Sequence, residues 1–360
     1  MFKLLLVLAI LCITLAQAVP QRNGNGNNGN GNNGNGRGRG QGRGGGGRGG
    51  GGRGGGNKQT AQQKAAKVKG GISQSDDGTM ILDQTVKING LDIRYRVSAP
   101  AEAFTQDSGV QGAQAQPNTD GDLGMNVLLH GDGGQSFFAY PNKGVNDNLM
   151  GVAVLSPDPN LKWGGADRNG QERPDGEAHS DAVASLIANE LPKMVAFNQS
   201  NVWFTGVSGG SLTLSGFFMP KYMGTFGNTG FMLTCGGMAP QLDFTSDASA
   251  ALANTRIHFQ STTQELKSLQ KEIPQSIQGF EAAAQDAGLN KQQINALQTT
   301  NNEPNGGHCE FDEQGFDSGV QLMADNFASV MFGNGQVQGI GNVANGVVGA
   351  ENLKFAKGGR

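Results

Sequence analysis

Asn201-Val202-Trp203-Phe204-Thr205-Gly206-Val207-Ser208-Gly209-Gly210 is the stretch on which the reading of the chain turns. Val202 to Thr205 is β-branched and aromatic, as a buried strand of a parallel sheet requires. Leu212 to Met219, just beyond the glycines, is compatible with a helix. A serine on so sharp a strand-to-helix turn is held in a strained backbone conformation with its Oγ pushed out of the sheet. The flanking glycines are required because a larger side chain would clash at that approach. The next N–H, on Gly209, faces the same space from a helix start and can stabilise an oxyanion. A bare Gly-x-Ser-x-Gly arises by chance in a chain with 60 glycines. The strand before it and the helix after it make Ser208 the candidate nucleophile.

Upstream, Val127-Leu128-Leu129 runs into His130-Gly131-Asp132-Gly133-Gly134, a strand ending in a glycine-rich loop. Such a loop supplies the second oxyanion donor, here the N–H of Gly131 or Asp132. His130 reads as structural, holding the loop by hydrogen bonds. The base must follow the serine, since this turn implies the chain order Ser, Asp/Glu, His. Of the four histidines only His258 and His308 follow it. His258 lies in an apolar strand run, where a core histidine is expected. His308 sits in Asn305-Gly306-Gly307-His308-Cys309, a loop able to carry an imidazole over the sheet edge, and is taken as the base. Glu265 is the carboxylate nearest the strand ending at Phe259, and is taken as the acid. It reads equally as a charge opening a helix over 265–285. Asp243 is the alternative acid, with Asp247 after it.

The rest of the body fits around these motifs. Thr79 to Ile88, Asn89-Gly90 and Leu91 to Val97 spell a β-hairpin. Short apolar runs at Met125–Leu129, Val152–Leu155, Val202–Thr205, Phe231–Thr234 and Ile257–Phe259 read as buried parallel strands. Helical patterns over Ala182–Val195, Leu212–Met219, Glu265–Gln285 and Val320–Phe332 alternate with them. The expected class is α/β, a mostly parallel central sheet with helices on both faces, over residues 71–335. Residues 336–360 are Gly/Asn-rich and carry no assignable pattern. Trp163 and Phe137-Phe138-Ala139-Tyr140 offer aromatic walls for an acyl pocket, although packing under a loop is their commoner fate. The loops Thr105–Asp122 and Trp163–Glu177 would set substrate preference.

Residues 1–18 read as a secretory signal peptide: Lys3, an apolar run from Leu4 to Leu15, then Ala16-Gln17-Ala18 for cleavage. That run is short for a membrane span, and nothing later is long enough for one. In an oxidising compartment the remaining pair, Cys235 and Cys309, is expected to form a disulfide. Asn198-Gln199-Ser200 is then an N-glycosylation acceptor. Residues 19–70 are almost wholly Gly, Asn and Arg before a Gln/Lys/Ala linker, too polar to fold alone. They hold ten basic residues and no acid, so the overall formal charge of −3 hides an acidic body behind a basic tail. The tail is suited to polyanions or cell-wall surfaces, with salt-sensitive attraction. Its Arg-Gly boxes suggest RNA, but the interleaved aromatics of such segments are missing.

With these residues in place, the body resembles the secreted fungal α/β-hydrolases related to polyhydroxybutyrate depolymerases and feruloyl esterases, over roughly residues 75–335. The resemblance rests on Leu129-His130-Gly131-Asp132-Gly133-Gly134, Gly206-Val207-Ser208-Gly209-Gly210 and Gly307-His308-Cys309. It implies the α/β-hydrolase fold and hydrolysis of small or polymer-linked carboxylic esters through an acyl-serine, with no metal or organic cofactor. Three features depart from the pattern. Ser261-Thr262-Thr263-Gln264 lacks the aspartate of the family's Gly-Thr-x-Asp turn, Cys235 stands a strand beyond the serine, and the Gly/Arg tail has no counterpart. A catalytically weak or inactive polymer-binding protein of the same fold is the competing expectation.

Overall fold

In the computed structural model, residues 59–138, 145–165, 172–227, 229–349 and 353–356 are described. The signal-peptide reading, the Gly/Arg tail up to residue 58 and Tyr140 lie outside them. Ten strands form one sheet: β1 Gly71–Gln74, β2 Met80–Ile88, β3 Leu91–Ala99, β4 Gly124–Leu129, β5 Val145–Asn146, β6 Leu149–Leu155, β7 Val202–Val207, β8 Gly230–Thr234, β9 Arg256–Gln260 and β10 Gln298–Asn301. Their spatial order is β1-β2-β3-β6-β4-β7-β8-β9-β10, with β5 paired to β6. β6, β4, β7, β8, β9 and β10 run parallel, and the β2–β3 hairpin closes the other side antiparallel. The exchange of β6 and β4 in that order, with a serine turn after the central β7, is the α/β-hydrolase fold.

The period of two along β7 divides its side chains between two cores. Val202 and Phe204 join one with the helix Gly176–Ser185 and its continuation. Trp203 and Val207 join the other, under the helices Phe316–Asp325 and Phe327–Met331. Both faces are therefore covered, which is why β4, β6, β7 and β8 are buried at every position.

The folded body reaches further than residues 71–335. Thr60 and Gln63 form a reciprocal capping box on the helix Ala61–Lys67, within the stretch read as linker. Arg94, paired with Asp83, donates to the Ala65 and Val68 carbonyls (2.7 and 2.8 Å) and so satisfies the open end of that helix. At the other end, β11 Gln336–Val337 and β12 Gly341–Asn342 make a small hairpin. The chain then bonds along the edge of β10, with Thr300 N–H to Asn345 O at 2.7 Å and Val347 N–H to Gln298 O at 3.2 Å. An edge strand with unpaired backbone groups is thus covered by a segment with no hydrophobic pattern to announce it. Among the described residues, no helix is long and apolar enough to cross a membrane.

Candidate active site

The end of β7 dictates the position of Ser208. Its φ of 50° and ψ of −114° lie outside the regions open to ordinary L-residues, so the turn is strained as expected. Two glycines permit it. A Cβ on Gly206 would stand 2.6 Å from Ser211 Cα, and one on Gly210 only 2.0 Å from Leu129 O. The helix Gly209–Thr213 therefore packs directly against β7 and the end of β4.

Ser208 Oγ lies 2.9 Å from His308 Nε2, and the opposite nitrogen, Nδ1, bonds Glu265 Oε1. Beside a carboxylate Nδ1 keeps its proton, which leaves Nε2 as acceptor for the serine hydroxyl. Glu265 is fully buried, and its Oε1 also accepts the Leu266 N–H at 2.8 Å. Oε2 is buried with no hydrogen-bond partner among the described residues. The compensation for this buried carboxylate is thus concentrated on the oxygen that meets the imidazole.

The glutamate does not open a helix. That helix begins at Leu269, so the dipole reading of Glu265 is corrected: the residue lies in the loop after β9. This loop is bound to the histidine loop. Thr263 N–H donates to Pro304 O (2.9 Å), Gln264 N–H to Gly306 O (3.3 Å) and Thr262 Oγ1 to Gly307 O (2.9 Å). Thr262 and Gln264 are spent on the loop, and the carboxylate that meets His308 comes from the next position, Glu265, on a side chain one methylene longer than aspartate.

Cys235, at the end of β8, is bonded to Cys309, beside the histidine. Closing 74 residues of chain, such a bridge stabilises by about 4 kcal/mol in the chain-entropy picture. Its local effect is to fix the residue after His308 to the strand next to the serine turn.

The alternative residues are elsewhere. Asp243 is exposed and makes no bond to His308, and Asp247 sits in the first turn of the helix Ser246–Ala251. His258 is buried in β9, bonded to Thr299 Oγ1 (2.9 Å) and Gln260 Oε1 (3.2 Å). His130 donates from Nδ1 to Gly131 O (2.7 Å) and accepts the Ser156 N–H at Nε2 (2.9 Å), a structural role. Burial pushes both imidazoles down to about 4. Between pH 4 and 6.5 the unfolded chain then binds more protons, so stability should fall as pH drops through that window. Urea unfolding at pH 7 and 4.5 checks this: His258→Gln should shrink the difference between the two pH values, and an unchanged difference would refute it.

The candidate oxyanion donors are narrowed. Gly131 N–H donates to Gln135 O at 2.9 Å, so the expectation that Gly131 supplies the donor is corrected. Its backbone bond closes the loop instead, and Asp132 N–H remains. A Cβ on Gly131 would stand 3.3 Å from Phe316 Cζ, 3.4 Å from Gln135 Cβ and 3.6 Å from Ser208 Cβ, so the glycine leaves the space beside the serine open. On the elbow side, Gly209 is the first helical residue, whose N–H has no intrahelical acceptor.

Arg173, Phe316 and Gln135 carried no sequence signal, whereas Phe138 belongs to the aromatic run singled out above. Arg173, in a polar loop, grips both oxygens of Asp132 (3.0 and 2.9 Å). Phe316 lies beside His308, ring centroids 5.9 Å apart. Gln135 and Phe138 line a cavity of about 610 Å³ whose far wall is Thr60, Ala61 and Lys64 of the linker helix. Trp163 is fully buried, its ring packed against those of His130 and His179. Asn198 is half-exposed, its Oδ1 accepting the Ser200 N–H at 3.0 Å in a turn of the glycosylation triplet.

No family model and no curated protein matches the chain. Among solved structures it is similar to a thermostable esterase at 14% identity and TM-score 0.43, covering 69% of this chain and 62% of that one. An arylesterase overlaps at 8% identity and TM-score 0.37, over 73% of this chain and 87% of the other. An acylaminoacyl peptidase from Pyrococcus horikoshii overlaps at 10% and 0.38, over 74% and 42%. The chain thus spans less than two thirds of the esterase's length. Overlaps this shallow, with esterases and a peptidase alike, say nothing of substrate, so the chemistry rests on the geometry of this site.

Proposed function

We propose that this protein is a secreted serine hydrolase that cleaves carboxylic esters through an acyl-serine. The supporting observation is the relay Ser208–His308–Glu265 mounted on a strained strand-to-helix turn. In this reading Ser208 Oγ attacks the ester carbonyl as its proton passes to His308 Nε2. Glu265 keeps the imidazole in the right tautomer and stabilises the imidazolium. The N–H groups of Asp132 and Gly209 receive the developing oxyanion. His308 then protonates the leaving alkoxide, and water repeats the sequence in reverse to free the acid. The leader-like pattern of residues 1–18 supports export, and the bonded cysteine pair agrees with it. The basic tail would hold the protein on polyanionic or cell-wall surfaces near its substrate.

Stopped-flow mixing with p-nitrophenyl acetate tests the mechanism. A burst of p-nitrophenol near one equivalent before the steady rate is the expected result. Neither burst nor turnover from folded protein would sink the proposal and favour a non-catalytic polymer binder.

A further inference from the structure

We infer that Arg173 is a positioning residue of the oxyanion site, clamping its two donors together and cancelling a negative charge beside them. The inference rests on the serine-hydrolase reading above. The Asp132 carboxylate is held at both oxygens by Arg173, whose side chain is only 3% exposed. Paired forks of this kind fix orientation as well as distance. Asp132 Oδ1 stands 2.0 Å from where a Cβ on Gly209 would be, so the carboxylate rests on the backbone of the other donor residue. One side chain therefore spans the two halves of the oxyanion site, and its position is set by the guanidinium.

The clamp is itself anchored. Arg173 Nη1 donates to Trp163 O at 2.7 Å, and the Trp163 ring lies 5.5 Å from that of His130, which bonds Gly131 O. Loop, clamp and strand end form one continuous packed unit.

Electrostatics give the pair a second role. A carboxylate next to an oxyanion opposes the charge that develops in the transition state. Ion-paired to Arg173, Asp132 shapes the loop without presenting a net charge. Removing the arginine alone is thus worse than removing both charges.

Kinetics of three variants, with active sites counted by a fluorophosphonate, test this. Arg173→Gln is expected to lower kcat per titrated site about 100-fold while KM changes little, with a parallel loss of affinity for a boronic-acid analogue. Asp132→Asn combined with Arg173→Gln should regain about tenfold, because the stranded charge is gone. Arg173→Lys, the variant to use if the glutamine protein does not fold, should lose about tenfold, since a point charge cannot keep both bonds. Wild-type kcat in Arg173→Gln, or in Arg173→Lys where the former fails to fold, would overturn the inference. So would a double variant slower than Arg173→Gln. A purely structural arginine would lower the melting temperature and the titrated fraction while leaving kcat per site unchanged. A wild-type protein inert to both probe and ester would instead overturn the serine-hydrolase reading.

Discussion

Ser208→Ala and His308→Ala are each expected to lower kcat on a short p-nitrophenyl ester by about 10⁶-fold, and the double variant by no more than either alone. The non-additivity follows from the geometry. The 2.9 Å contact makes the hydroxyl and the imidazole one functional unit, in which a serine without its base is a poor nucleophile and a base without the serine has nothing to activate. Each variant keeps the proposed oxyanion donors, so residual hydrolysis should exceed that in buffer. Ser208→Ala should fold as wild type does, because the serine's strained φ is dictated by the close packing at Gly206 and Gly210. Steady-state kinetics with matched melting curves check the pair. Effects that multiply in the double variant would mean that the two residues act separately.

Glu265→Gln should cost about 10⁴-fold in kcat with little change in KM. The amide is nearly isosteric, so Leu266 N–H can still be accepted and the loop contacts of Thr262, Thr263 and Gln264 are untouched. What changes is charge and tautomer. With the amide oxygen kept at the position shared by Leu266 and His308, the imidazolium loses its counter-charge; with the NH₂ turned there, the Leu266 bond is given up and a proton on Nε2 is favoured, so that nitrogen can no longer accept the serine's proton. The exposed Asp243 serves as control, and Asp243→Asn should leave kcat as it is. A Glu265→Gln rate near wild type would separate the acid from the relay.

The sequence was most legible where short-range chemistry decides structure. β7, the glycines around Ser208, the β2–β3 hairpin and the buried parallel runs could be read from pattern alone, because each is a local demand on side-chain period or backbone freedom. His308 was accessible by elimination, since so few histidines follow the serine. Glu265 was ambiguous because its role depends on where the next helix begins, and helix starts are weakly encoded when no capping residue marks them. The helix actually begins at Leu269 without a side-chain cap. Choosing between Gly131 and Asp132 required knowing that Gln135 folds back onto the loop, a three-dimensional fact. Arg173 was invisible for the same reason, being 41 residues from Asp132 in a stretch with no pattern. Polar β10, all of it buried, defeated the hydrophobic criterion: its neighbours on both sides are backbone partners rather than apolar contacts. The linker was read as too polar to fold alone, yet Arg94 and the capping box hold its helix in place.

The most direct test of Ser208 as nucleophile is mass mapping of wild-type protein after exposure to a fluorophosphonate. A single adduct on the peptide carrying Gly206-Val207-Ser208-Gly209-Gly210, assigned to Ser208 and absent from both Ser208→Ala and His308→Ala, is the expected result. A folded protein that takes up no adduct, or takes it up at another residue, would contradict it.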